Sequence, residues 1–102
     1  MTVNPHIARL MEHPDVGDVR ELAKEYDVLI GEVSVNVRVY VFPYTGKYLA
    51  ITDHGIQREG QPAPYRRMEY QDTLEEALAD AVTGLLEVYE PEEGRGCLIK
   101  IE

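Results

Sequence analysis

Long apolar runs are missing from this chain. Its longest stretches without a charged residue are about eight long, as in Val39 to Gly46. A bilayer-spanning helix needs about 20 apolar residues, so no membrane span is expected. The N-terminus, Met-Thr-Val-Asn-Pro-His, lacks a basic segment followed by an apolar run, so no secretory signal is expected. Cysteine is nearly absent. The single Cys97 cannot form an internal disulfide, which fits a reducing compartment and makes a cytoplasmic location the expectation. Metal-ligand spacing is absent too: none of His6, His13 and His54 pairs with Cys or another His. No phosphate loop and no G-x-S-x-G occur. The expectation is therefore no metal, no cofactor and no catalytic set.

Basic residues are missing from one long stretch. Between Arg67 and Arg95 there is no lysine or arginine, and nine acids occur: Glu69, Asp72, Glu75, Glu76, Asp80, Glu87, Glu90, Glu92 and Glu93. The chain has 19 acids and 10 bases, a net charge of -9, so the rest of it is balanced at 10 against 10. Phosphate backbones draw proteins through clustered Lys and Arg, and only Arg66 and Arg67 are adjacent here. They read as a solvated strand end, and direct nucleic-acid binding is not expected.

What remains is enough for one domain. At 102 residues and 44% apolar content, a single core over residues 1–102 is feasible. Asn4-Pro5 is a helix start, with Ile7, Leu10 and Met11 at helical spacing and Pro14 as a stop. Asp18 and Glu21 resemble a capping pair before Val19, Leu22, Ala23 and Tyr26. The spacing thus predicts two short N-terminal helices, 5–12 and 19–26, in a helical segment 1–27. From Glu32 to Phe42 the period changes to two. Val33, Val35, Val37, Val39 and Val41 point one way; Ser34, Asn36, Arg38, Tyr40 and Phe42 point the other. Pro43-Tyr44-Thr45-Gly46 is turn chemistry. Lys47 to Asp53 then returns as a second strand with Leu49 and Ile51 on its apolar face. Residues 55–64 read as a loop and 65–70 as a third strand. Asp72 reads as the cap of a helix whose apolar face is Leu74, Ala77, Leu78, Ala81, Leu85, Val88 and Tyr89. Pro91 stops it, and 97–101 read as a last strand. The fold class expected is α+β: an antiparallel three- to four-stranded sheet with the main helix on one face, β-β-β-α-β over residues 28–102.

On that helix Glu76, Asp80 and Glu87 fall opposite the apolar face, with Glu90 nearby. Acids at its C-terminal end oppose the helix dipole, so helix stability does not explain them. They are the candidate partner-binding residues, read beside the plain alternative of a solubility face. Seven tyrosines occur. Tyr40 and Phe42 lie on the second sheet face, which calls for a cover by the N-terminal helices or by a second subunit. A homodimer through sheet surface or strand edge is expected. Asp53 and His54 are the one pair available for hydrolytic chemistry. They cannot meet if the strand continues through them, but a turn would join them.

Residues 33–89 resemble a HicB-like antitoxin domain. The run Val39-Tyr-Val-Phe-Pro-Tyr-Thr-Gly-Lys-Tyr-Leu-Ala-Ile-Thr-Asp53 is similar to that family's first hairpin. Asp72-Thr-Leu-Glu-Glu-Ala-Leu-Ala-Asp-Ala81 is similar to its helix. The resemblance implies a β-β-β-α-β partial barrel, a non-catalytic inhibitor role and a small basic toxin as target. The chain departs from the family in its long loop 55–64, in its preceding helices and in having no DNA-binding module after Glu102, so a stand-alone version is implied. Against this stand two other classes: a small metal-dependent hydrolase or nuclease using Asp53 and His54, and a ligand-binding domain.

Overall fold

In the computed structural model, which describes residues 4–101, the chain is α+β. Residues 1–3 of the expected helical segment and Glu102 of the expected core lie outside the described residues. Helix α1 is Pro5–Met11; strands β1 Glu21–Ile30, β2 Val33–Phe42, β3 Lys47–Thr52 and β4 His54–Gln57 follow; then come helix α2 Leu74–Val88, a 3₁₀ turn Glu92–Gly94 and strand β5 Cys97–Lys100. Strands β1, β2 and β3 form one antiparallel sheet in that order, and β4 pairs antiparallel with β5.

The expected second helix is instead strand β1. Asp18 caps nothing beyond the next N–H, that of Val19, at 2.8 Å. Tertiary pairing overrides the helical spacing: β1 meets β2 residue for residue from Glu25↔Arg38 to Ile30↔Val33. Gly31, at φ 62°, makes the two-residue turn Gly31–Glu32 between them. An irregularity between Leu22 and Lys24 shifts the register, so Leu22 lies opposite Tyr40 on the helix-free side while Tyr26 lies opposite Val37 on the core side.

The valine alternation is borne out. Val35, Val37 and Val39 are fully buried, with Ile30, Ala50 and Ile56 beside them. Residues directly opposite in an antiparallel pair share a face. Val39↔Ala50 and Val37↔Thr52 therefore put Ala50 and Thr52 on the core side. Leu49 and Ile51, read as the apolar core face, lie opposite Tyr40 and Arg38 on the helix-free side. The expected third strand is a looser segment. Two isolated bridges, Ile56↔Tyr65 and Tyr48↔Gln71, tie residues 65–71 along the far edge of β3 and β4. Part of the expected loop is strand β4. Gly55 is buried there, and a Cβ on it would come within 2.8 Å of both Ile101 and Pro64.

Helix α2 packs on the valine face through a ridge of small residues. Ala77, Ala81, Gly84 and Leu85 are buried, and Leu74, Leu78, Val88 and Tyr89 are partly buried against the core. Its cap is Thr73 rather than Asp72: Thr73 Oγ1 accepts the Glu76 N–H at 3.1 Å. Asp72 instead pairs with Lys47. Gly84 has a specific neighbour. Arg67 crosses the helix there, and a Cβ on Gly84 would approach the Arg67 Cβ to 2.6 Å. Helix propensity alone favours Gly→Ala by about 1 kcal/mol. Overpacking costs about 1–3 kcal/mol. The Arg67 atom nearest the new methyl is close to its backbone and cannot swing away. Gly84→Ala is therefore expected to lower the urea midpoint. A raised midpoint would show that the 65–71 segment yields.

Candidate functional site

The four acids proposed from the sequence do lie on α2 and just after it, but most are already engaged. Glu76 completes the capping pair, accepting the Thr73 hydroxyl at 3.0 Å. Asp80 and Glu87 both hold Arg67, Asp80 at 3.4 Å. The side chains of Arg67 and Asp80 are only about one-fifth exposed, 22% and 20%. Asp80 thus does not face open solvent, as the helical wheel suggested, because Arg67 lies over it. Tyr65 first, then Glu87, hold the Arg67 guanidinium still more firmly protonated than a free one. Glu90 is exposed, and its N–H bonds the Gly96 carbonyl at 3.1 Å. The last turn of α2 carries no base.

The sequence concealed this because Arg66 and Arg67 were read together as a solvated strand end. Along 65–71 they part. Arg67 goes to the helix side; Arg66 goes to the other side, donating to the Thr52 carbonyl at 2.9 Å. Strand alternation was the available signal.

Asp53 and His54 meet. The strand bends at Asp53, and its Oδ1 lies 2.6 Å from His54 Nδ1 while accepting the Asn36 N–H at 2.9 Å. The backbone of Asp53 faces two strands at once. Its N–H bonds Asn36 on β2, and its carbonyl accepts from Ile101 just beyond β5. The turn that the hydrolase reading needed is therefore present. No group of three or more metal-binding side chains occurs among the described residues.

The helix-free face carries the remaining candidates. Phe42 is buried, its ring edge-on to Tyr70 at 5.4 Å. The Arg20 guanidinium sits 3.9 Å from the centre of the Tyr40 ring. Tyr44 donates to the Ala8 carbonyl of α1. The N-terminal segment therefore covers part of this face. Leu22, Leu29, Met68 and Tyr70 remain exposed, Leu29 at 74%. Beside them, β1 is a ten-residue strand at the edge of its sheet, with no strand beyond it among the described residues.

Comparison of the chain with protein-family models, with curated proteins and with solved structures finds no match.

The junction predicts a pH dependence. Burial opposes ionisation of Asp53. Hydrogen bonds from His54 and the Asn36 N–H, with the charges of His54 and Lys100, outweigh it and hold the carboxyl below its ordinary value. Folding thus depresses this group, so its ionised form is the stabilising one. The contribution is complete above the unfolded value of about 3.9 and is lost as pH falls through the folded value. Urea midpoints of wild type and Asp53→Asn are expected to converge below that window. A gap that stays constant down to the acid limit would remove Asp53 as the source.

Proposed function

We propose that this protein is a non-catalytic protein-binding domain that pairs with a second copy of itself along β1. The exposed edge of β1 carries this reading. Unpaired strand edges recruit further strands unless charge or cover protects them. Glu21, Lys24, Glu25 and Asp27 do stand exposed on β1, but two of these charges already have partners within the molecule. Glu25 holds Arg38 at 2.8 Å, and Lys24 lies over the Tyr26 ring at 5.3 Å. Antiparallel edges pair symmetrically about a two-fold axis. An axis at Tyr26 sets Leu22 of each copy near Leu29 of the other, which removes both from water. It also opposes Glu25 to Asp27, which Arg38 moderates. The molecule is less compact than its length requires. Its radius of gyration is 15.9 Å, against about 13 Å for a compact domain of this size.

Light scattering at tens of micromolar is expected to give twice the 11.6 kDa chain mass, and Leu29→Lys is expected to give 11.6 kDa. A wild-type mass of one chain, or an unaltered dimer in Leu29→Lys, would sink the β1 pairing.

A second reading keeps the acidic helix face as the dock for a small basic protein, in the manner that the HicB-like resemblance implies. The acids Glu87 and Glu90 at the negative end of α2 support it. Arg67 weighs against it, since it already pairs with both Asp80 and Glu87 and offsets one of their two charges. A salt-sensitive complex with a basic protein that persists unchanged in Glu75→Lys with Glu90→Lys would take the helix face out of consideration.

A further inference from the structure

Where β2 leaves the edge of the bent strand β3–β4 and β5 takes its place, the helix-free side holds an open cavity of about 470 Å³. This is within the roughly 300–1,000 Å³ of small-molecule sites. Four of the chain's 10 bases line it: Arg20, Arg38, Arg66 and Lys100. They come from the segment before β1, the middle of β2, the 65–71 segment and the end of β5. In a chain of net charge -9, their convergence is contrary to the overall balance. The one lining acid is Asp53, whose Oδ1 is already committed to His54 and the Asn36 N–H. Among the described residues, Arg38 alone of the four cations forms a salt bridge, with Glu25. Arg66 uses one N–H on the Thr52 carbonyl, and a guanidinium has five.

We propose that this cavity binds a small organic phosphate monoester. Four cations, less the Asp53 carboxylate and the Glu25 that pairs with Arg38, leave two positive charges to match a dianion, and arginine forks fit its oxygens. The space exceeds that of a lone phosphate. Ile51 and Ile101 line it as well and supply an apolar wall for the carbon portion. A long polyanion fits less well. It would run beyond the roughly 8 Å screening length into the acidic remainder of the surface. The proposal is independent of pairing along β1.

The test is NMR titration of the full chain with phenyl phosphate, with inorganic phosphate and benzoate as parallel arms. Phenyl phosphate is expected to give saturable shifts at the amides of Asn36, Arg38, Thr52, Asp53 and Ile101. Inorganic phosphate is expected to move the same amides with weaker affinity. Arg66→Gln with Lys100→Gln is expected to weaken phenyl phosphate by about tenfold or more. Arg9→Gln with Arg58→Gln, which removes equal charge elsewhere, is expected to leave affinity unchanged. The spectra themselves report folding. Should loss of the Arg66 bond to Thr52 disturb it, Arg20→Gln with Lys100→Gln carries the same expectation. Absence of saturable shifts, equal weakening by both pairs, or benzoate binding as tightly as phenyl phosphate would each overturn the assignment.

Discussion

Asp53 is the residue on which this fold turns. Its N–H reaches β2, its carbonyl receives the chain just past β5, and its carboxylate holds a β2 N–H and the next side chain, His54. Without that bend, β3 and β4 would be one straight strand with one partner. With it, the first half pairs with β2 and the second half with β5, joining a three-stranded sheet to a two-stranded one. The C-terminal strand is thereby tied to the hairpin, and Ile56 reaches the same core as Val35 and Val37. The gap left where β2 and β5 part is the cavity lined by four cations. One local break in a strand thus sets both the topology and a cluster of four cations in a chain of net charge -9.

Charge in this molecule is sorted across the thickness of the sheet. The pair Arg66-Arg67 shows how. Adjacent residues of an extended segment point to opposite faces. Arg67 goes to the helix side and pairs with both Asp80 and Glu87; Arg66 goes to the helix-free side and joins Arg20, Arg38 and Lys100. The acidic helix is therefore less bare than its own sequence implies. The balanced remainder of the chain is less balanced in space than its count implies. Net charge describes the sum of these faces and neither of them singly.

Legibility in the sequence followed the range of the interactions involved. The valine alternation, the apolar stripe of α2 and the turn at Gly46 are local patterns, and all three appear as read. Strand β1 was not legible, because its apolar residues happen to fall at helical spacing and only pairing with β2 decides against a helix. Strand β4 was hidden by Gly55 and the prolines after it. Its glycine is required by the approach of Ile101 and Pro64, which are distant or unpatterned in the sequence. The meeting of Asp53 with His54 was legible as a condition, since a turn there was known to be needed. The turn itself depends on β5 arriving from the far end of the chain. The cation cavity was not legible at all. Its four bases are scattered from residue 20 to residue 100 and share no motif.

The two surfaces that remain open differ in what they can recognise. The edge of β1 offers backbone N–H and carbonyl groups in a row, with Leu22 and Leu29 at its ends, and no deep relief. Such an edge recognises another strand, and its selectivity lies in register rather than in chemistry. The cavity offers a concave shape in which four cationic side chains stand beside Ile51 and Ile101. A ligand bound there, as proposed, would be selected by charge and by being small enough to stay among the four cations. The path to either surface avoids the acidic helix, which lies across the core on the other face of the sheet. The helix then has a consequence for both. By concentrating acids opposite the sheet's helix-free side, it leaves that side open to an anion, or to the edge of a like-charged copy, without first meeting the helix's acids.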